Sequence, residues 1–290
     1  MNLNSRIKEP VQALTATMVG YRIGQGVAMK LEIVTKEPKG KAHPTPILFV
    51  HGAWHGAWCW SEHFLPYFAQ QGYVCHALSL RAHGASEGRK RLRWTRLRDY
   101  LADIAQVVSQ FQKPPVLVGH SMGGLLVQKY LESHQPPAAV LLAPAPPTGV
   151  IPTTLRIARR HPLAFLKANL TLSLYPIIGT PSLMQEAFFS ADMPEKKVAS
   201  YFARMQDESY CAFLDMMGLD LPRPKRLKMP MLVLGAARDT IFYPKEIEAT
   251  ARAWSAQVEI FPDMAHDMML ESDWQAVADR ILSWLKEQGL

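Results

Sequence analysis

The sequence predicts an α/β architecture, a mostly parallel sheet with helices on both faces, and three observations carry that expectation. Short apolar runs without polar alternation recur along the chain, as strands buried on both faces require. Stretches with helical spacing separate them, and strands alternating with helices imply a parallel sheet with right-handed crossovers. Between residues 144 and 229 the alternation stops, so 1–143 and 230–290 are expected to form one core with a helical lid inserted between two of its strands. A length of 290 residues suits one such unit, at about 150 residues per domain plus an insertion.

Met18 to Tyr21 and Met29 to Val34 fit an edge hairpin around Gly24 and Gly26. Ile47 to Val50, entered through Pro44 and Pro46 and closed by His51-Gly52, is the first inner strand. Phe64, Leu65, Phe68 and Ala69 then recur at helical spacing and stop near Gly72, and Tyr73 to Leu80 form the next strand. A helix from about Thr95 to Phe111 buries Leu97, Leu101, Ile104, Val107 and Val108, and Pro114-Pro115 end it before the strand Val116 to Val118. Another helix starts just after Ser121. Ala138 to Leu142, Met231 to Leu234 and Val258 to Phe261 complete the strands, and a helix from about Trp274 to Lys286 follows. The intervening segment is helical-looking but punctuated by prolines, among them Pro146, Pro147, Pro162, Pro176, Pro181 and Pro194.

With 48% hydrophobic and 20% charged residues, the composition excludes wholesale disorder, collagen-like repeats and coiled coil. The formal net charge is +7, and much of it clusters at Arg89, Lys90, Arg91, Arg93, Arg96 and Arg98. Cys59, Cys75 and Cys211 form neither a disulfide framework nor a Cys-x-x-Cys pair, so reduced thiols are expected. The first twenty residues lack the apolar centre of a secretory signal, and no apolar run is long enough to span a bilayer. A soluble, cytoplasmic protein is the expectation.

The chemistry is expected at the ends of the strands. Val116 to Leu125 reads as a strand, a tight turn and a helix start, with Gly119-His120-Ser121-Met122-Gly123 spanning the turn. A serine on so sharp an elbow has strained dihedrals, and side chains two residues to either side would collide, so glycines stand there. The elbow presents Ser121 above the sheet as a candidate nucleophile. A serine hydroxyl near neutral pH needs a histidine base and a carboxylate to orient that base. Of the ten histidines only His266 follows the last strand, and Asp239 ends the segment after Met231 to Leu234 at the same sheet edge. Asp263 and Asp267 lie too near His266 in sequence to orient its ring comfortably, Asp215 and Asp220 fall in the lid, and His120 should project away from the nucleophile. The order Ser121, Asp239, His266 is that of nucleophile-elbow enzymes. Backbone N–H groups of Met122 and Ala53 are the candidate oxyanion donors. His51 and His55 are four residues apart, but no His-Glu-x-x-His surrounds them, so no metal site is expected and no organic cofactor is required.

On these residues the chain resembles the α/β-hydrolase superfamily from about Ile47 onward. His51-Gly52-Ala53-Trp54-His55-Gly56-Ala57-Trp58-Cys59-Trp60 resembles the plant methylesterase and hydroxynitrile lyase group. Arg81-Ala82-His83-Gly84-Ala85-Ser86-Glu87-Gly88 is similar to a segment of monoacylglycerol lipases and lysophospholipases, with Ala82 as the departure. A serine at position 121 argues against the epoxide hydrolase and haloalkane dehalogenase branches, which need a carboxylate nucleophile. The resemblance implies acyl transfer to water, with a lid setting substrate choice. Thioester hydrolysis, acyl transfer, carbon–carbon cleavage, lyase chemistry and a non-catalytic ligand receptor stay open at this point.

A small-molecule ester, held in an apolar pocket, is the expected partner. Trp54, Phe188, Phe189 and Met216 are candidate substrate-lining residues, with the lid's own core as the alternative for the last three. The basic residues could hold the protein against anionic lipid, or simply form solvated faces. No DNA- or RNA-binding module is visible, so nucleic acid is not an expected partner.

Overall fold

A computed structural model describes residues 15–19 and 29–290. Its sheet contains β1 (Thr15–Val19), β2 (Leu31–Lys36), β3 (Ile47–Val50), β4 (Cys75–Ser79), β5 (Val116–His120), β6 (Ala139–Leu142), β7 (Met231–Ala236) and β8 (Gln257–Phe261). Helices α1 (Trp58–Ser61), α2 (Phe64–Gln70), α3 (Leu97–Val108) and α4 (Met122–Tyr130) belong to the first half of the chain. Between β6 and β7 come α5 (Ile151–Arg160), α6 (Pro162–Thr171), α7 (Pro181–Phe188), α8 (Glu195–Phe202) and α9 (Tyr210–Leu214). Helices α10 (Pro244–Trp254) and α11 (Trp274–Glu287) complete the fold.

The sheet order is β1-β2-β4-β3-β5-β6-β7-β8, with β2 antiparallel to both neighbours and every pair from β4 to β8 parallel. This is the expected α/β-hydrolase fold. Every residue of β3, β5, β6 and β7 is buried, because helices cover both faces of a parallel sheet. On one face Phe49 meets Trp60, Phe64 and Phe68, ring centroids 5.0 to 6.1 Å apart, which fixes α1 and α2 against β3. Burying each such ring contributes roughly 2 to 3 kcal/mol.

From β3 the chain runs to β4 on one side, then returns to β5 on the other. Sequential connections therefore diverge at β3/β5, and the crevice outside their carboxyl ends is where such a sheet gathers ligands.

Several boundaries differ from the sequence expectation. The helix expected from Thr95 begins at Leu97 behind a 3₁₀ turn, Arg89–Trp94, which follows Gly88 at φ +107°. Helix α10 is absent from that expectation: its buried residues Ile247, Thr250, Ala251 and Trp254 are spaced helically but separated by Lys, Glu and Arg, which masks the stripe. A parallel β7–β8 pair nevertheless needs a crossover. The expected hairpin is visible only as β1 paired with β2; Tyr21, Gly24 and Gly26 lie outside the described residues.

Candidate active site

Ser121 follows β5 directly and precedes α4, with φ 53° and ψ −120°. Such a conformation is strained for any residue with a Cβ, and the surroundings hold it. Its N–H donates to the Leu142 carbonyl at 3.0 Å, and its carbonyl accepts from Leu125 and Ala145 at 3.1 and 3.0 Å. The glycines are required by close approach. A Cβ on Gly123 would stand 2.4 Å from the carbonyl oxygens of both Val50 and His51, and one on Gly119 would stand 2.6 Å from the Gly123 oxygen. The elbow is thus pressed against the end of β3.

Three side chains from distant stretches meet there. Ser121 Oγ–H donates to His266 Nε2 at 3.0 Å, and His266 Nδ1–H donates to Asp239 Oδ2 at 2.8 Å. All three residues are buried. The other carboxylate oxygen, Asp239 Oδ1, accepts from the Ile241 and Phe242 N–H groups at 2.7 and 3.0 Å, so the turn after β7 fixes the carboxylate's orientation. Arg238 does not compete for it, being paired instead with Asp263 at 2.5 Å. Burial opposes a charge on His266, but the field and hydrogen bond of the Asp239 carboxylate outweigh it. Asp267 adds to the pull, and the imidazole pKa is held above its ordinary value.

The loop after β3 faces this group. His51 Nδ1–H donates to the Gly52 carbonyl at 2.7 Å while His51 Nε2 accepts from the Leu80 N–H at 3.0 Å. Burial, then the neighbouring His83, push the His51 pKa well down, so the ring is neutral as those two bonds require. Because a trans peptide is planar, fixing the Gly52 carbonyl also fixes the Ala53 N–H, which points the opposite way. His55 Nδ1–H pins the next carbonyl, that of Ala53, at 2.7 Å. The two histidines whose spacing raises the question of a metal site therefore clamp two successive peptides. Trp54 then turns the chain away at φ 64°. Met122 N–H is the first of α4, where helix donors have no intrahelical partner.

A second buried ionic arrangement lies beside His266. His55 Nε2 stands 3.0 Å from Asp267 Oδ2, and both residues are buried. His120, expected to project away, instead ends against the same loop: its Nε2–H donates to the His266 carbonyl at 3.0 Å, and the two rings are 4.8 Å apart. Burial and the nearby His266 push the His120 pKa down to about 3, leaving it neutral. Burial opposes the charge on Asp267 as well, but His55 outweighs it and holds the carboxyl below the usual carboxylate range. Sequence reasoning sets Asp267 aside and finds no partner for His55, since the two lie 212 residues apart.

A third buried pair, His83 with Glu208 at 3.1 Å, joins the loop after β4 to the β6–β7 segment. Glu208 also accepts from Tyr100 Oη at 2.7 Å, and His83 Nδ1–H donates to the Arg81 carbonyl at 3.0 Å. Gln206 adds bonds to the Ala82 carbonyl, the Gly84 N–H and the Trp54 carbonyl, each 2.9 or 3.0 Å.

The candidate substrate-lining residues are placed unevenly. Phe188 stacks on His266 with centroids 5.8 Å apart and touches Trp54 at 5.6 Å. Trp54 borders a narrow apolar cavity of about 50 Å³ walled by Ile157, Phe165, Ala168, Ile177 and Phe213. Phe189 lies against Tyr201 at 5.6 Å and Met216 is buried, and neither they nor Phe188 border that cavity. A larger hollow of about 330 Å³ opens between α5, α7 and the Thr240–Ile241 turn beside Asp239.

Among the described residues, His120, His266 and Asp267 offer possible metal-ligand atoms within 4.8 Å of one another. Both His266 nitrogens are committed to Ser121 and Asp239, His120 Nε2 to the His266 carbonyl and Asp267 Oδ2 to His55, while His120 Nδ1 and Asp267 Oδ1 are buried without a hydrogen-bond partner among the described residues. Among the described residues no helix is long and apolar enough to cross a membrane.

Comparison with known proteins agrees with the fold. The profile of the Alpha/beta hydrolase family matches residues 47–280, and the chain belongs to that family. It is 23% identical over 270 residues to an abhydrolase domain-containing protein of Dictyostelium discoideum, covering 89% of this chain and 28% of that protein. It is 27% identical over 173 residues to methylesterase 2 of Arabidopsis thaliana, covering 56% of this chain and 61% of the relative. The matches thus span less than two thirds of either relative. A monoacylglycerol lipase from Paleococcus ferrophilus has the same fold, with TM-score 0.67 and 20% identity over 90% of this chain and 100% of that one.

Proposed function

We propose that this chain is a serine hydrolase of carboxylic esters with a lipophilic acyl part. One observation carries the proposal: hydroxyl, imidazole and carboxylate stand in line at 3.0 and 2.8 Å, buried together at the carboxyl edge of the sheet. In this mechanism His266 Nε2 takes the Ser121 proton as Oγ attacks the ester carbonyl. Asp239 stays charged and stabilises the imidazolium. The N–H groups of Ala53 and Met122 receive the oxyanion, the first aimed by the His51 clamp on Gly52. His266 then protonates the leaving alcohol, and water attacks the acyl-enzyme by the same route. No step calls for a metal or an organic cofactor.

Residues 144–229 act in this reading as a lid. Trp54 and Phe188 flank the reacting centre, and the apolar walls from α5, α6 and α9 suit an acyl chain. Methylesterase and monoacylglycerol lipase relatives support the same reaction class. The test is a fluorophosphonate probe followed by p-nitrophenyl esters of graded chain length, set against acyl-CoA thioesters. The wild type should label and turn over medium or long esters, and Ser121→Ala should do neither. No labelling, with ligand binding retained, would favour a non-catalytic receptor. Preference for short polar esters or for thioesters would overturn the substrate class.

A further inference from the structure

Helix α6 carries two apolar faces, and only one is used inside the protein. Phe165 and Ala168 point inward to the cavity beside Trp54. Leu163, Leu166 and Leu170 follow one another at three- and four-residue steps and are 81%, 54% and 76% exposed. Residues so spaced share one side of a helix. Trp94, 60% exposed, extends this surface from the Arg89–Trp94 turn. The two elements are neighbours, because Arg93 lines the same open cleft as Leu163 and Lys167.

The charge around this surface is mostly positive. Lys90, Arg91, Arg93 and Lys167 are exposed, and among the described residues no ion pair engages them. Nearby cations are otherwise occupied: Arg96 pairs with Asp215, Arg156 with Glu246 and Arg160 with Glu186. Asp207, the acidic residue of the cleft, accepts from the Tyr175 and Glu208 N–H groups. In the Arg223 to Lys228 run, the Arg223 N–H and the Lys225 ammonium bond to Glu132 beyond α4.

We propose that the outer face of α6, with Trp94 beside it, is a docking surface for an anionic lipid bilayer. Leucines exposed in a row cost hydration that an acyl boundary removes, and the flanking ammonium and guanidinium groups reach lipid phosphates at the depth where such helices lie. Charge also decides between a bilayer and a second copy of the chain. A two-fold contact through this face would set its basic rim against itself, whereas anionic headgroups neutralise it. The docking is independent of the hydrolase reading, since it is measured without turnover.

Co-sedimentation of the full-length protein with phosphatidylcholine vesicles, plain or with about 30% phosphatidylglycerol, tests it at about 50 mM salt and again at about 500 mM. Partition onto the anionic vesicles alone, weakened at high salt, is the expected result. The double variant Arg93→Ala/Lys167→Ala should partition about thirtyfold more weakly, at about fivefold per cation. The triple variant Leu163→Gln/Leu166→Gln/Leu170→Gln keeps good helix formers and should lose about a hundredfold or more. Circular dichroism checks that both remain folded, and either alone suffices for the comparison. Absence of wild-type partition at low salt would overturn the proposal, as would unchanged partition of both variants. So would a concentration-dependent dimer that the leucine variant dissolves while vesicles bind neither protein.

Discussion

Replacing Asp239 by asparagine tests the proposed chemistry with little change in shape. The Ile241 and Phe242 N–H groups point at Oδ1 from 2.7 and 3.0 Å, so the oxygen of the new amide must occupy that position. The amide nitrogen then falls where Oδ2 stood, 2.8 Å from His266 Nδ1, and presents a donor to what had been a donor. His266 resolves the conflict by moving its proton to Nε2, the atom that should accept from Ser121. The base is then in the wrong tautomer, and the carboxylate that stabilised its cation is gone. We expect kcat/KM of the Asp239→Asn variant on a p-nitrophenyl ester to fall about a thousandfold or more, ~4 kcal/mol of transition-state stabilisation, with unchanged circular dichroism. The pH profile gives a second reading. The wild-type base works only as neutral imidazole, so its rate should fall as pH drops through a pKa held above the ordinary histidine value by Asp239. Without that carboxylate burial prevails, and the acid limb should move to lower pH. Activity within about tenfold of wild type, ~1.4 kcal/mol, and an unmoved acid limb would refute the reasoning.

Two further outcomes follow from packing and charge. Gly123→Ala places a Cβ 2.4 Å from two fixed backbone oxygens, so the elbow must shift; thermal denaturation should show a loss of about 2 kcal/mol or more, and fluorophosphonate labelling of Ser121 should drop sharply. Glu208→Gln breaks the buried pair with His83 and should cost about 3 kcal/mol in urea unfolding, most visibly between about pH 4.5 and 6.5. Burial resists both charges, but Glu208 raises the His83 pKa and His83 lowers that of Glu208. The His83 contribution is complete below the unfolded histidine value and is lost as pH rises through its raised pKa. That of Glu208 is present above the unfolded carboxylate value and is lost as pH falls through its lowered one. A wild-type advantage that stayed flat across the whole range would count against the pair.

Much of the fold is legible in the sequence because its signals are local. Ile47 to Val50 and Met231 to Leu234 announce buried strands by unbroken apolarity, and all their residues are buried. Ser121 can be found because the elbow forces glycines at fixed offsets, and Asp239 and His266 because each follows a strand whose end has to lie at the same sheet edge. Helix α10 escapes because it is charged on its outer face and short of apolar residues. The β6–β7 segment carries no register: its aromatics could line a pocket or form their own core, and Phe188 and Phe189, adjacent in sequence, go to His266 and to Tyr201.

Local pattern is therefore enough for the parallel sheet and for the three residues to be compared at its edge, since backbone sterics and strand burial act within a few residues. What surrounds those residues emerges only when the chain is folded: His55 meets Asp267 and His83 meets Glu208 across 212 and 125 residues, and α6 turns leucines outward. A buried charge is stable only opposite its partner, and which partner arrives is settled by how the chain closes on itself, which no short stretch of residues records.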